Sequence, residues 1–202
     1  MSKKIKVGFD LDGVLLYNPA RIVRPLVSLL KKKKVLIERK ELEFYVPKTS
    51  WEQWFWELFH KSSIFLSPGF AELVQLQKKG VIEPYLITGR FGHLQGDCLK
   101  WLKKMNAKKI FVGCFINKND EQPHLFKEKM VKKLKLDYFI EDNWDIVRHL
   151  DQTCRLNVIQ NGQNHKVTQV IWVSNVLDFR IPYYLKVTSL SQALSVIEKL
   201  TA

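Results

Sequence analysis

Two aspartates stand two residues apart at the end of an apolar run, in Val7-Gly-Phe-Asp-Leu-Asp-Gly-Val14. Further reactive groups come much later in the chain: Thr88-Gly89-Arg90, Lys127, and Glu141-Asp142 with Asp145 behind them. Carboxylates gathered in one place repel one another unless a cation balances them. A hard divalent ion with oxygen ligands, Mg²⁺ above all, does this and keeps positions open for water and a phosphate oxygen. Asp10, Asp142 and Glu141 are its candidate ligands. With a cation present a carboxylate can attack phosphorus and form an aspartyl phosphate. A second carboxylate can protonate the leaving alkoxide and then activate water. Asp10 and Asp12 suit that division of labour. Thr88 offers a hydroxyl, and the backbone amides after it offer further donors to phosphate oxygens at a helix start. Arg90 follows closely enough to reach a phosphate. A lysine would neutralise charge that builds up during transfer; Lys127 and Lys129 are both within range of that task.

These groups can meet only if the elements carrying them end on one edge. Ile5, Val7 and Phe9 alternate with Lys6 and Gly8, which predicts a strand that delivers Asp10 at its carboxyl end. Tyr85-Leu-Ile87 predicts a strand ending at Thr88, and Tyr138-Phe-Ile140 one ending at Glu141. Ile110-Phe-Val112, Leu156-Asn-Val-Ile159 and Val170-Ile-Trp172 read as further short strands, with a hairpin-like turn at Asn161-Gly162. Helical spacing appears at Ala20 to Leu30 and at Trp51 to Phe59, the latter capped by Thr49 or Ser50. Ser67-Pro68-Gly69 predicts a cap and a first-turn proline for a helix with Phe70, Leu73, Val74 and Leu76 on its apolar face. Leu94, Cys98, Leu102 and Met105 mark another helix, and Phe126, Met130, Val131 and Leu134 the one carrying Lys127. Thr188 or Ser189 caps a last helix, with Leu190, Ala193, Leu194, Ile197 and Leu200 on one face. Strands alternating with helices predict an α/β fold with a parallel sheet covered on both faces. The carboxyl ends of parallel strands share one edge, where open α/β sheets bind ligands.

The chain has 202 residues, enough for one ordinary domain with a modest insertion, and its 46% hydrophobic and 26% charged residues are globular values. A net charge of +13 favours anionic partners such as nucleotides, phosphorylated metabolites or nucleic acid. Three cysteines, none in a C-x-x-C, fit a reducing cytoplasm. No apolar run has the length of a membrane span. Residues 17–66 change character, with Lys31 to Lys34 and the aromatic run Trp51-Glu-Gln-Trp-Phe-Trp56. They read as a small helical insertion whose rings either pack on the core or stack on a substrate base.

Asp10-Leu-Asp12-Gly13-Val14, Leu86-Ile-Thr88-Gly-Arg90, Lys127 and Ile140-Glu-Asp142-Asn-Trp-Asp145 together resemble the four motifs of the haloacid dehalogenase-like (HAD) phosphohydrolase superfamily, in order. The resemblance implies a Rossmann-like core over residues 1–16 and 67–202, with residues 17–66 as a C1-type cap. It implies Mg²⁺ as cofactor, Asp10 as nucleophile and Asp12 as acid/base. Thr88, with Gly89 and Arg90, would bind the phosphoryl group, and Lys127 (or Lys129) would stabilise it. Asp142 and Glu141 would hold Mg²⁺ with Asp10 and the Asp12 carbonyl, and Asp145 would support them. Cap size and short motifs look most like the small 5'(3')-deoxyribonucleotidase branch, which implies a nucleoside monophosphate as substrate. A phosphatase for nucleic-acid ends and a non-catalytic phosphate-binding module are the alternatives.

Overall fold

A computed structural model describes residues 4–17, 42–60, 63, 65–161, 167–175, 178 and 180–201. The helix expected at Ala20 to Leu30, the Lys31 to Lys34 run and Gly162 lie outside the described residues. Strands β1 (Ile5–Phe9), β4 (Ile82–Thr88), β5 (Gly113–Ile116), β6 (Tyr138–Glu141), β7 (Gln169–Val173) and β8 (Lys186–Val187) build one sheet. Its order is β5-β4-β1-β6-β7-β8 and every pairing is parallel. The short strands β2 (Leu16–Tyr17) and β3 (Phe65–Leu66) pair antiparallel in a separate ribbon. The chain leaves β1 to lay down β4 and β5 on one side. It then crosses back to lay down β6, β7 and β8 on the other. The order therefore reverses around β1, and the crevice this opens lies at the strands' carboxyl ends.

Helices cover both faces. They are α1 (Ser50–His60), α2 (Phe70–Lys78), α3 (Gln95–Lys104), α4 (Ala107–Ile110), α5 (Pro123–Leu134), α6 (Trp144–Asn161) and α7 (Leu190–Thr201). Successive strand residues point to opposite faces. On one face Val7, Phe9, Leu86, Ile140 and Ile171 pack with residues of α2, α3, α4 and α7. On the other, Tyr85, Ile87, Phe139, Val170 and Trp172 pack with α5 and α6. Each fully buried side chain of this size contributes roughly 1.5–3 kcal/mol, so both layers hold the sheet rigid beneath its loops.

The local caps follow from sequence. Thr49 Oγ1 accepts the Glu52 amide at 3.3 Å, and Glu52 Oε2 accepts the amides of Lys48 and Thr49. That reciprocal box starts α1. Ser189 Oγ accepts the Gln192 amide at 3.2 Å and caps α7. Before α2 the expected side-chain cap does not form. Gly69 is the N-cap in a left-handed conformation, and Pro68 precedes the helix rather than joining its first turn.

Two expected strands do not form where the sequence placed them. Ile110 closes α4, the Phe111 amide bonds back to the Ala107 carbonyl at 2.8 Å, and β5 starts only at Gly113. A short apolar run does not distinguish strand from helix by itself. Here burial of Ala107 and Ile110 as one turn decides. Residues 156–161, expected as a strand and the start of a turn, continue α6. The buried positions Ile146, Val147, Leu150 and Cys154 keep helical spacing, an Asp151–Arg155 pair braces the same helix at 3.1 Å, and no Gly or Pro interrupts it before Asn161.

Candidate active site

β1 is the centre of the reversal, and it stops one residue before Asp10. The Asp10 amide still bonds to the Ile140 carbonyl at 3.0 Å, so the residue is fixed to the end of the ladder. The chain then curls: the amides of Leu15 and Leu16 bond to the Leu11 carbonyl, and that of Gly13 to Leu16. Gly13 takes φ 83, a left-handed conformation that glycine adopts without steric cost. Asp10 and Asp12 are thus held buried at the mouth of the crevice.

The neighbouring strand ends contribute the rest. Glu141 ends β6, is fully buried, and accepts the amides of Asp142 and Asn143 on Oε1. Lys127, in the first turns of α5, lies between two carboxylates. Its Nζ is 2.8 Å from Asp10 Oδ1 and 2.6 Å from Glu141 Oε2. The side-chain oxygens of Asp10, Glu141 and Asp142 come within 4.8 Å of one another. Lys129 sits outside this cluster, exposed and paired with Glu121. Gly89 is what lets α5 approach. A β-carbon there would lie 2.8 Å from Pro123 Cβ and 3.5 Å from Lys127 Cε.

The electrostatics follow from burial. Burial pushes the Asp10 carboxyl up to about 6; Lys127 opposes this, and the negative charges of Asp142 and Asp12 add to it. Glu141 is driven up to about 8 by burial first, again against Lys127. Burial disfavours the Lys127 ammonium, but Asp10 and Glu141 outweigh that and its pKa rises. Three carboxylates around one ammonium leave excess negative charge in a buried place, where solvent screens it little. A hard divalent cation ligated by oxygen meets that need, and Asp10, Glu141 and Asp142 are the residues that fit it.

Asp12, beside this cluster, also takes part in a second set of ion pairs. Arg90 grips it with two parallel bonds, Nε to Oδ2 at 2.6 Å and Nη2 to Oδ1 at 2.7 Å. The third nitrogen, Nη1, reaches Asp97 Oδ2 at 2.6 Å. Ser63 adds a bond to Asp12 Oδ1 at 3.3 Å. Burial works against the Arg90 charge, yet the two aspartates raise its pKa further. Arg90 was expected to meet a phosphate; here its guanidinium is committed to carboxylates. Thr88 is buried at the end of β4, its Oγ1 accepting the Arg90 amide at 3.3 Å. Asp145 is not brought in. It is exposed in the first turn of α6, 3.9 Å from Arg148, where a carboxylate favours the positive end of the helix dipole.

Asp97 and Trp172 were not singled out from sequence. Asp97 is an acid in the first turn of the helix after Thr88-Gly-Arg90, seven residues beyond Arg90, and that position was its only signal. Trp172 is fully buried and gives its indole N–H to the Asp142 carbonyl at 3.2 Å, bracing the loop after β6. A buried indole needs such an acceptor, but nothing in sequence says which. Cys98 feels the charges of Arg90, Asp12 and Asp97, but burial pushes its thiol up to about 12, so it is no rival nucleophile. His149 bonds Glu128 at 2.7 Å and packs edge-on to His124, apart from the carboxylate cluster.

No protein-family model matches the chain, and no curated protein sequence matches it. Solved structures do. YfnB from Bacillus subtilis, named a HAD-hydrolase and bound to magnesium, is similar with a TM-score of 0.59 at 13% identity, over 98% of this chain and 100% of that one. A HAD-superfamily hydrolase from Ehrlichia chaffeensis aligns over 100% of both chains, with a TM-score of 0.53 at 12% identity. CbbY from Rhodobacter sphaeroides, in complex with phosphate, aligns over 94% of this chain and 96% of its own, with a TM-score of 0.52 at 12% identity. The α/β sheet described above therefore shares the Rossmann-like fold of these structures. No described helix is long and apolar enough to cross a membrane.

Proposed function

We propose that the protein is a Mg²⁺-dependent phosphomonoesterase of the HAD type. One observation carries this reading: Asp10, at the end of the central strand, shares Lys127 with Glu141 and lies beside Asp142. In the reaction, an Asp10 carboxylate oxygen attacks phosphorus and the ester P–O bond breaks. The leaving oxygen takes a proton from Asp12. Asp12 then removes a proton from water, whose oxygen attacks the aspartyl phosphate and frees Asp10 and inorganic phosphate. Lys127 offsets negative charge on the transferring group, with Thr88 and the Gly89 amide as further donors. When bound by Asp10, Glu141, Asp142 and the Asp12 carbonyl, Mg²⁺ would supply charge neutralisation and orient the phosphate. Arg90 holds the Asp12 carboxyl in place until substrate arrives; an incoming phosphate dianion competes for the same guanidinium.

Residues 1–16 and 67–202 serve as the catalytic core and 17–66 as a cap in this reading. The substrate we favour is a (deoxy)nucleoside monophosphate, on the strength of the short motifs and the small aromatic insertion. The chain would work in the cytoplasm, where Cys98, Cys114 and Cys154 stay free thiols. A second reading keeps the chemistry but takes 3'-phosphorylated nucleic-acid ends. The +13 charge and the exposed, mutually stacked Trp51 and Trp54 favour it. A phosphate-release screen over nucleotides, sugar phosphates and 3'-phosphorylated oligonucleotides tests both. Turnover is expected with Mg²⁺ and none after EDTA. Absence of Mg²⁺-dependent release from every ester would leave only the reading of a non-catalytic phosphate binder.

A further inference from the structure

Asp142 carries one of the three carboxylates that fit a cation, and both of its flanking peptide groups are held. On the amino side, the Asp142 N–H donates to Glu141 Oε1 at 3.2 Å, and the same oxygen accepts the Asn143 N–H at 3.0 Å. On the carboxyl side, the Asp142 carbonyl accepts the indole N–H of Trp172 at 3.2 Å. The two planar peptide units beside a residue define its φ and ψ, and with them the direction in which its Cβ leaves the backbone. Fixing both units therefore aims the Asp142 carboxylate and leaves only its side-chain torsions to adjust. One of the two holds comes from the preceding residue. The other comes from β7, thirty residues away.

Trp172 is itself firmly seated. It is fully buried and stands opposite Glu141 in the β6–β7 ladder. Trp144 packs on its ring at 4.5 Å and Tyr183 meets it edge-on at 6.3 Å. Lys186 Nζ lies 5.1 Å from the ring centre and is anchored by the carbonyls of Asp178 and Ile181, at 2.7 and 2.9 Å. A phenylalanine or a leucine could also serve as an apolar core residue there, but neither has a side-chain donor for the carbonyl. We infer that Trp172 is a positioning residue of the cation site: its indole N–H holds the Asp142 peptide so that the carboxylate already points where a divalent ion needs it. The inference rests on the Mg²⁺-dependent reading above.

Mn²⁺ takes the same kind of oxygen ligands as Mg²⁺, and its free ion can be counted by electron paramagnetic resonance with no substrate present. Trp172→Phe removes the N–H and keeps an aromatic ring. Its Mn²⁺ dissociation constant is expected to rise about tenfold, as when other partners that orient metal ligands are removed. Trp144→Phe trims the same aromatic cluster but leaves the Trp172 N–H in place, and should bind Mn²⁺ as the wild type does. A purely structural role for Trp172 would lower the melting temperature and leave Mn²⁺ affinity unchanged. That result, or equal weakening in both variants, overturns the inference. Coupling between the bond and the ion is reciprocal, so the wild-type protein gives a second measurement if the phenylalanine variant folds poorly. Saturating Mg²⁺ should slow solvent exchange of the Trp172 indole N–H, followed by ¹⁵N nuclear magnetic resonance. Unchanged exchange overturns the inference as well. Wild-type protein that binds neither ion overturns the Mg²⁺-dependent reading beneath it.

Discussion

The carboxyl edge of the sheet and helix α1 hold their side chains in opposite ways. At the edge, Asp10, Asp12, Arg90, Lys127 and Glu141 are buried, and each is tied to partners far away in sequence. On α1, Trp51, Trp54, Phe55 and Leu58 are all more than half exposed, Trp51 at 71%. Their clearest contacts are local: a Trp51–Trp54 stack at 5.3 Å and the cap formed by Thr49 and Glu52. A buried ion loses its water and needs fixed partners, so the edge tolerates little movement. An exposed ring costs little and can meet a ligand in several ways. The edge is rigid, whereas α1 presents an open aromatic surface.

Removing the proposed nucleophile breaks this contrast most sharply. Asp10→Asn is expected to cut turnover by on the order of 10⁴-fold or more, while circular dichroism and the melting curve show an intact fold. Turnover like that of the wild type would move the chemistry away from this edge. Lys127→Met comes next. It strips the shared ammonium from Asp10 and Glu141, and leaving buried charges unpaired costs about 3–5 kcal/mol. Urea unfolding of the metal-free variant should show that loss, and kcat should fall about 10²–10³-fold. A variant as stable as its parent would mean that the pair is not formed in solution.

Proton competition gives a third, smaller effect. Asp10 is raised to about 6 and Glu141 to about 8 in the metal-free protein, chiefly by burial. Both must be ionised to hold a cation. Lowering the pH from 8 towards 6 protonates them, so the Mg²⁺ concentration for half-maximal activity should rise steadily over that window and level off above it. A flat Mg²⁺ requirement would exclude these carboxyls as ligands. The smallest expected change is on α1. Trp54→Ala should alter stability by no more than about 0.5 kcal/mol, and any kinetic effect should appear in KM rather than kcat. A loss of several kcal/mol would show that α1 belongs to the rigid part of the molecule after all.

Much of this was legible in the chain itself. Alternation in β1 and the acids at its end, the Thr88-Gly-Arg90 segment after β4, and Glu141-Asp142 at the end of β6 are local patterns. Local patterns plus parallel topology put those groups on one edge. Lys127 lies 2.8 Å from Asp10 Oδ1 because it stands in the first turns of a helix leading into β6. The errors were local too. Ile110 to Val112 and Leu156 to Ile159 are apolar runs whose state depends on what they pack against, and neither is a strand: Ile110 ends α4 just before β5, and Leu156 to Ile159 continue α6. Side-chain pairings were further from reach. Arg90 had a phosphate as its expected partner, and only the fold brings Asp12 and Asp97 to its two sides. Asp145 sits three residues past Asp142, yet the start of α6 turns it outward.

By itself, then, the sequence determined the element types around the motifs and the residue chemistry at each strand end, because periodicity and turn composition act over a few neighbours. Only the tertiary structure decided which acid Arg90 grips and that Trp172 braces the Asp142 carbonyl. Those facts depend on distances between segments tens of residues apart, which are set by how the layers pack and not by any short stretch of chain.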